Sequence, residues 1–322
     1  MLRMFLAGVA LACLVATGAQ AQSGYPNKPV KILVPTAAGG LADNIARMYA
    51  QHLSKVLGQQ FYIENRGGAG NTIGIESVAR SPADGHTLLL GAGTITMNHV
   101  VYRKLPYDVI KDFTPITQMV SVPNVLVVHP SQPFNTLADY IAAAKAKPGT
   151  INFASAGVGS NLHLSMELLK TMTGIEVVHV PYKGVGPAMS DTLAGHVMSM
   201  VSNVASARAH VEAGRLRALA VTSLKRAPAL PNIPSISEAG VKDYEVLNWF
   251  GLFAPAGTPQ PIVDRLHAEA VAMFATPEAA KRIAGEGAEP IASKPADFAV
   301  FVKSEISKWT EVGKRAKIQP AD

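Results

Sequence analysis

The chain has 322 residues, of which 48% are hydrophobic and 16% are charged; this excludes a disordered protein and leaves a core large enough for about two domains of ordinary size. Aromatic residues make up 6%, too few for a surface that stacks nucleic-acid bases. The net charge of +6 comes from basic residues scattered along the chain, so no basic patch indicates a nucleic-acid partner.

The first 21 residues have the pattern of a cleaved secretory signal peptide. Arg3 gives a positive start, 4–15 an apolar core, and Ala19-Gln20-Ala21 a small-residue cleavage site. Lipid attachment at Cys13 is the alternative, which is disfavoured because Ala10 stands where a lipoprotein signal usually has Leu. Cleavage after Ala21 removes the one cysteine, so we expect an exported protein without disulfides or thiolate chemistry.

The first part of the remaining chain alternates strand and helix patterns. A β-branched apolar run between Pro29 and Pro35 predicts a buried strand. An apolar stripe at helical spacing follows over 41–57, and Gly58 acts as its stop signal. The next patterns are strand, helix and strand over 61–64, 73–80 and 86–91. This alternation is typical of β-α-β units in mainly parallel sheets.

The same alternation restarts in the middle of the chain. Strands are predicted over 125–129, 151–155, 177–181, 196–202 and 217–223, and helices over 137–146, 162–172 and 187–194. The chain then ends in helical patterns over 261–274, 277–286 and 296–314.

Two sets of β-α units predict two α/β domains. Because the terminal helices have no strands of their own, we place them on the first domain, so that the chain crosses between domains twice, near 120–124 and 247–253. Two crossings make a hinge. The predicted division is a signal peptide over 1–21, a first domain of 22–122 plus 248–322, and a second domain of 123–247.

A glycine loop joins the first predicted strand to the first helix. This loop, Pro35-Thr36-Ala37-Ala38-Gly39-Gly40, is called loop 1. Its glycines allow close approach of a ligand, and the uncapped N–H groups of the following helical turn favour negative charge. Loop 1 therefore suits a carboxylate, although an ordinary tight turn would have the same residues.

A second loop, Ser155-Ala156-Gly157-Val158-Gly159-Ser160-Asn161, has the same position between strand and helix and is called loop 2. Ser155, Ser160 and Asn161 could bond an oxyanion, but Ser160 or Asn161 as a plain helix N-cap explains the pattern equally well. Ligands of open α/β sheets bind outside the carboxyl ends of strands, where both loops are expected. The pair predicts a cleft that closes on an acid.

No catalytic or cofactor motif accompanies the two loops. The glycine-rich stretch 64–71 lacks the third glycine of a dinucleotide fingerprint, and we expect Asn65 and Arg66 to tie this stretch down. Nucleophile elbow, zinc-protease and P-loop patterns are missing, and the histidines show no metal-ligand spacing. We therefore expect a protein that is not an enzyme, with no cofactor and no metal. A lone histidine such as His163 is more often packed than catalytic.

A hydrolase is the alternative function. It would use Ser155 or Ser160 as nucleophile and His163 as base in the same cleft.

Six short motifs occur in a familiar order along the chain. They are Pro35-Thr36-Ala37-Ala38-Gly39-Gly40 with Asp43 and Ala46-Arg47, Glu64-Asn65-Arg66 with Gly68-Ala69-Gly70, Asp84-Gly85-His86-Thr87-Leu88, Pro181-Tyr182-Lys183-Gly184 with Pro187-Ala188 and Asp191, Leu219-Ala220-Val221-Thr222-Ser223, and Glu238-Ala239-Gly240. In these motifs the chain resembles the Bug-type extracytoplasmic solute receptors, the TctC-like binding components of tripartite tricarboxylate transporters.

The resemblance implies a periplasmic-binding-protein-like clamshell in the periplasm, a monomer that docks on membrane permease subunits. It also implies a small organic acid whose carboxylate is held through backbone N–H groups and ordered waters. The residues that this implication assigns to the ligand are Thr36, Ala38, Gly39, Gly40, Asp43, Thr94, Ser155, Gly157, Ser160, Asn161 and Asn203. Tyr182 and Lys183 could line the cleft or pack at the hinge.

The chain departs from the family pattern beside the expected cleft. Thr36 stands where an aromatic residue is usual, Leu41-Ala42 where small residues and proline are frequent, Gly67 where proline is frequent, and Val201-Ser202 where Phe-Asp is common before Asn203. The ligand therefore need not be the usual short dicarboxylate of the family.

Overall fold

The structure is a computed structural model that describes residues 24–320. The predicted signal peptide and Cys13 lie outside these residues. Within 24–320, no helix has both the length and the apolar character needed to cross a membrane.

The first half of the chain forms three strands and their helices before one long strand. The elements are β1 (Val30–Val34), α1 (Leu41–Leu57), β2 (Phe61–Asn65), α2 (Thr72–Ala79), β3 (Thr87–Ala92), α3 (Asn98–Val101) and β4 (Phe113–Val128). Short 3-10 turns precede α2 and α3.

The second half of the chain forms a second set of strands and helices, and then β9 and the helices after it return to the first set. The elements are α4 (Leu137–Ala146), β5 (Asn152–Ser155), α5 (Asn161–Thr173), β6 (Val178–Pro181), α6 (Val185–Leu193), β7 (Ser199–Asn203), α7 (Val204–Glu212), β8 (Arg217–Val221), β9 (Leu247–Pro255), α8 (Gln260–Phe274), α9 (Pro277–Gly285), β10 (Glu289–Pro290) and α10 (Pro295–Arg315).

The strands form two lobes that share β4. In the first lobe the order is β2-β1-β3-β9-β4, with β10 beside β4; in the second it is β4-β7-β5-β6, with β8 also on β4. Residues 113–123 of β4 pair with β9, and residues 124–128 pair with β7 and β8. The α/β clamshell with two crossings is thus confirmed. We keep the domain boundaries at 122/123 and 247/248 as a proposal, since they fall within β4 and at the start of β9.

Each lobe has a parallel set of three strands, as predicted, but the connecting strands pair antiparallel. The length of β4 was not predicted, because β4 contains Pro115 and Pro123 and proline usually argues against a central strand. The chain accommodates Pro115 through an irregular register with β9 between Pro115 and Thr117.

The strand directions make the carboxyl ends of the two parallel sets face each other. Because β3 and β4 are both antiparallel to β9, β4 leaves the first lobe in the direction of β1–β3, and β7 runs back toward that lobe. Ala92, the last residue of β3, and Val120 of β4 both pair with Phe250 of β9, so they lie at the same position along the strands. Asn203, the last residue of β7, lies opposite Asn124. The two edges are therefore separated along β4 by about 13 Å.

The C-terminal helix α10 packs on both lobes. Phe298 belongs to the core of the first lobe, and Trp309 belongs to the core of the second. Between them, the buried Glu305 accepts hydrogen bonds from Nε1 of Trp249, in β9, at 3.1 Å and from Nε1 of Trp309 at 3.0 Å, and it pairs with Lys308. One carboxylate thus joins the returning strand to the helix at the junction of the lobes.

Replacing this carboxylate tests its role in stability. Glu305→Ala leaves two buried indole N–H groups without an acceptor, so we expect the free energy of unfolding to fall by roughly 2–4 kcal/mol. Urea denaturation of the variant measures the change. The matched control is Glu311→Ala, which removes an exposed ion pair with Arg315 from the same helix and should cost less than about 0.5 kcal/mol. Equal losses in the two variants would contradict the assigned role.

Candidate carboxylate-binding site

Loop 1 connects β1 to α1 through two exposed glycines. Gly39 has a φ of +88°, a left-handed conformation that strains a residue with a Cβ. Gly40 is the N-cap of α1 and brings no side chain to cap it. Among residues 24–320, none accepts a hydrogen bond from the N–H of Gly40, Leu41 or Ala42. With the helix dipole, these N–H groups make the end of α1 suitable for an anion.

The buried side chain of Asp43 stabilises loop 1. Its Oδ2 accepts the N–H of Gly39 at 2.9 Å and Nε of Arg47 at 2.8 Å. Burial raises the pKa of Asp43, but hydrogen bonds from Arg47, Gly39 and Asn65 outweigh it, so the pKa lies below its ordinary value. The N–H of Gly39, which the resemblance assigns to the ligand, is therefore already bound within the protein.

The loops after β2 and β3 lie beside loop 1. As expected, Asn65 ties the chain after β2 down, here onto loop 1: its Nδ2 donates to the carbonyl oxygen of Thr36 at 3.2 Å. Asn71 Nδ2 lies 3.4 Å from Oγ1 of Thr94. Thr36 and Thr94 are both half-buried, and Ala38 is exposed. The structure thus brings the predicted residues of the first lobe to one edge.

Loop 2 begins with Ser155, whose hydroxyl is hydrogen-bonded within the protein. Ser155 is fully buried, and its Oγ accepts the N–H of Gly157 at 3.1 Å and lies 2.6 Å from Nε2 of His179. Gly157 has a φ of +124°, and a Cβ there would lie 3.3 Å from the carbonyl oxygen of Tyr182. The hydroxyl of Ser155 therefore shapes loop 2, and partners within the protein already occupy it.

The end of loop 2 caps α5 and meets the junction of the lobes. Ser160 is the N-cap, and its Oγ accepts the N–H of His163 at 3.2 Å. Oδ1 of Asn161 accepts from Nδ2 of Asn124 in β4 at 2.6 Å, and its Nδ2 donates to the carbonyl of Leu247 in β9 at 3.3 Å. The N-cap alternative is thus confirmed for Ser160, and Asn161 joins α5 to both crossing strands.

The N–H groups of loop 2 that have no acceptor within the described part of the chain are those of Ala156, Val158 and Asn161, the first residue of α5. Gly159 lies against Val101 of the first lobe so closely that a Cβ would overlap that side chain. The lobes therefore touch at loop 2, and only glycine fits there.

The remaining predicted residues have different environments. Asn203, at the end of β7, is half-buried, and its amide side chain has no hydrogen-bond partner among residues 24–320. Tyr182 donates its hydroxyl to Asp191 at 2.7 Å, whereas Lys183 is exposed. Asn203 thus keeps a free amide at the facing edge of the second lobe.

The geometry does not favour the hydrolase. Ser155 is paired with His179 rather than with His163, and His163 is packed within the protein, as expected for a lone histidine. Burial, followed by the charge of Lys170, lowers the pKa of His179 to about 4, so the ring is a weak base at neutral pH. No carboxylate of residues 24–320 bonds to His179, and no group of three or more His, Cys, Asp or Glu in this range could hold a metal ion.

The charge of Asp43 gives a pH-dependent prediction. Because folding lowers its pKa, the stabilisation should be complete above its unfolded pKa of about 3.9 and disappear as the pH falls through the lower, folded value. We expect Asp43→Asn to melt at a lower temperature than the wild type at pH 6, with the difference shrinking below about pH 4. Thermal unfolding between pH 3 and pH 7 measures it. A difference that is constant over this range would contradict the prediction.

Comparison with known proteins identifies the family. The model of the TctC family, described as "Tripartite tricarboxylate transporter family receptor", matches residues 45–318. Protein BugT of Bordetella pertussis is 35% identical over 290 residues, which cover 89% of each chain. The solved structure of R. palustris Rpa4515 with adipate is 40% identical with a TM-score of 0.79, and the match covers 92% of this chain and all of the other.

A second solved structure has the same fold. MatC from Rhodopseudomonas palustris with bound malate is 33% identical with a TM-score of 0.74, and covers 90% of this chain and all of its own. The family match and these identities lead to one conclusion: the chain belongs to the TctC family of Bug-type solute-binding receptors.

Proposed function

We propose that this protein binds a small organic acid through a carboxylate in the cleft between its lobes and delivers it to the membrane permease of a tripartite tricarboxylate-type transporter. One observation carries the proposal: the two glycine loops follow strands whose carboxyl ends face each other, and each loop has N–H groups for which residues 24–320 provide no acceptor. Unpaired peptide N–H groups at the ends of two helices are a general solution for binding a carboxylate.

Closure of the clamshell follows from the same groups. In an open state the ligand carboxylate can accept hydrogen bonds from one loop, and the N–H groups of the other loop donate to water. Only the closed state lets one acid satisfy the donors of both lobes, so ligand binding shifts the population toward closure. The contact between Gly159 of loop 2 and Val101 of the first lobe limits how closely the lobes can approach there.

The proposed ligand contacts divide into direct and supporting ones. Direct contacts come from Ala38 and Gly40 in the first lobe, with Thr36 and Thr94 beside them, and from the backbone of loop 2 with the free amide of Asn203 in the second. Supporting roles belong to residues whose polar groups are bonded inside the protein, namely Gly39, Asp43, Ser155, Gly157, Ser160 and Asn161.

The ligand class and the location draw on the family. Two relatives carry adipate and malate in their solved structures, which supports a carboxylic acid for this chain. TctC receptors are periplasmic, and the N-terminal sequence pattern supports export through a cleaved signal peptide. We expect the receptor to work as a monomer and to meet the permease in its closed form.

Ligand screening by thermal unfolding tests the proposal. With ligand at 100 times its dissociation constant, binding should stabilise the secreted protein by about 2.7 kcal/mol and raise its melting temperature. The screen contains adipate, malate, citrate and benzoate, and calorimetric titration gives the affinity of each hit. Adipamide, which replaces both carboxylates by neutral amides, is the matched control and should give no shift. No shift with any of these acids would count against the proposal.

Glycine substitutions test the two loops, with matched glycines as controls. Gly39→Val and Gly157→Val force a β-branched residue into a left-handed backbone, so we expect binding of the acid to weaken about tenfold or more, because strain of roughly 1–3 kcal/mol falls on the loops. Gly58 and Gly174 have φ of +68° and +71° at the other ends of α1 and α5. Gly58→Val and Gly174→Val should lose comparable stability but keep the affinity, measured by calorimetry; affinity retained in either loop variant would contradict the site.

A further inference from the structure

Two histidine rings lie behind loop 2. The imidazoles of His163, in α5, and His179, in β6, stack with their centroids 3.9 Å apart and their planes 16° apart. His179 also stacks on Phe153 of β5 at 4.9 Å. Because the rings are stacked on one another and on a buried side chain, their nitrogen atoms have fixed directions.

Each ring is connected to one glycine of loop 2, His163 by a direct hydrogen bond and His179 through Ser155. The N–H of Gly159 donates to Nδ1 of His163 at 3.1 Å. Nε2 of His179 lies 2.6 Å from Oγ of Ser155, and this Oγ accepts the N–H of Gly157. The N–H groups of both glycines are thus held by the protein.

The alternate residues of loop 2 have the opposite arrangement. The N–H groups of Ala156 and Val158 have no acceptor in residues 24–320. Bonded and unpartnered N–H groups therefore alternate from Ala156 to Gly159. A loop with this alternation can offer donors to a ligand without collapsing onto its own carbonyl groups.

The hydrogen bond from the N–H of Gly159 fixes the tautomer of His163. A ring nitrogen accepts a hydrogen bond only when it carries no proton, so Nδ1 is bare and the proton of the neutral ring is on Nε2. Nε2 lies 3.7 Å from Oε1 of Glu167, one turn further along α5. Nζ of Lys170 holds the same oxygen at 2.7 Å. His163, Glu167 and Lys170 therefore form a chain of contacts that ends at the N–H of Gly159.

The surroundings keep both rings neutral. Burial is the largest cause that lowers the pKa of His163 to about 3, and His179 and Lys170 lower it further. Burial and Lys170 lower the pKa of His179 to about 4. Both rings are thus neutral well above these values, and Nδ1 of His163 stays an acceptor throughout the neutral range.

We infer that His163 and His179 are positioning residues of the ligand site. Nδ1 of His163 fixes the N–H of Gly159, and His179 acts through Ser155 on the N–H of Gly157, so that the N–H groups of Ala156 and Val158 stay available to the carboxylate. The inference rests on the proposed function for its effect on affinity, but its effect on the loop itself needs no ligand.

Two substitutions of His163 separate hydrogen bonding from packing. His163→Asn provides an acceptor oxygen near the position of Nδ1 but removes the stacked ring. His163→Phe retains a stacked ring but has no acceptor. We expect the N–H of Gly159 to exchange with solvent at least tenfold faster in the Phe variant, and adipate to bind it at least tenfold more weakly. The Asn variant should stay within about threefold of the wild type in both.

Amide exchange is followed by ¹⁵N NMR without ligand, and adipate binding by calorimetry. If the ring had only a packing role, the Asn variant would be the more impaired of the two, and that order would overturn the inference. The control is His129→Phe, because His129 follows β4 at the far edge of the second lobe and should change neither measurement.

The experiment distinguishes this inference from the proposed function. If wild-type protein binds neither adipate nor another acid of the screen, the proposed function fails and the exchange rates of Gly159 alone decide the inference. If wild type and the Phe variant bind adipate equally, the inference fails and the function stands. Because a buried substitution can prevent folding, ¹⁵N shifts of the wild-type histidines give a further test: a proton on Nδ1 of His163 at pH 7 would overturn the inference.

Discussion

Backbone pairing along β4 determines how the two lobes are arranged relative to each other. One continuous strand belongs to both lobes, so the register of β9 on its first part and of β7 on its second part fixes where along β4 the two lobes join. The parallel sets run in opposite directions on either side of that strand, and their carboxyl ends must face each other. In the proposed function, two weak anion sites, each at the end of one helix, thereby form a single site between the two lobes.

The proposed site consists of peptide groups, and side chains hold those groups in position. Asp43 holds loop 1, and Ser155 with the two stacked histidines holds loop 2. The two loops contain no lysine or arginine that could pair with a carboxylate. Such a site takes a carboxylate by directed hydrogen bonds, which demand an exact loop conformation, and the buried supporting side chains provide that conformation.

The sequence predicts the local part of this arrangement well. Strand patterns followed by glycine give both loops, and the order of strands and helices gives the α/β class and the two crossings. The long antiparallel strands were missed because prolines in β4 argue against a strand. The side chains of Ser155 and Asn161 were assigned to the ligand because their partners are distant in sequence: His179 follows Ser155 by 24 residues, and Asn161 bonds a residue 37 positions earlier. Such pairings depend on tertiary packing.

The carboxylate of Glu305 has a further consequence. The chain has two tryptophans, and both indoles donate to this one buried group at the junction of the lobes. A rotation of one lobe against the other changes the surroundings of the two indoles at once. The intrinsic tryptophan fluorescence of the protein should therefore report its opening and closing, so that the motion can be followed in real time without attaching a dye.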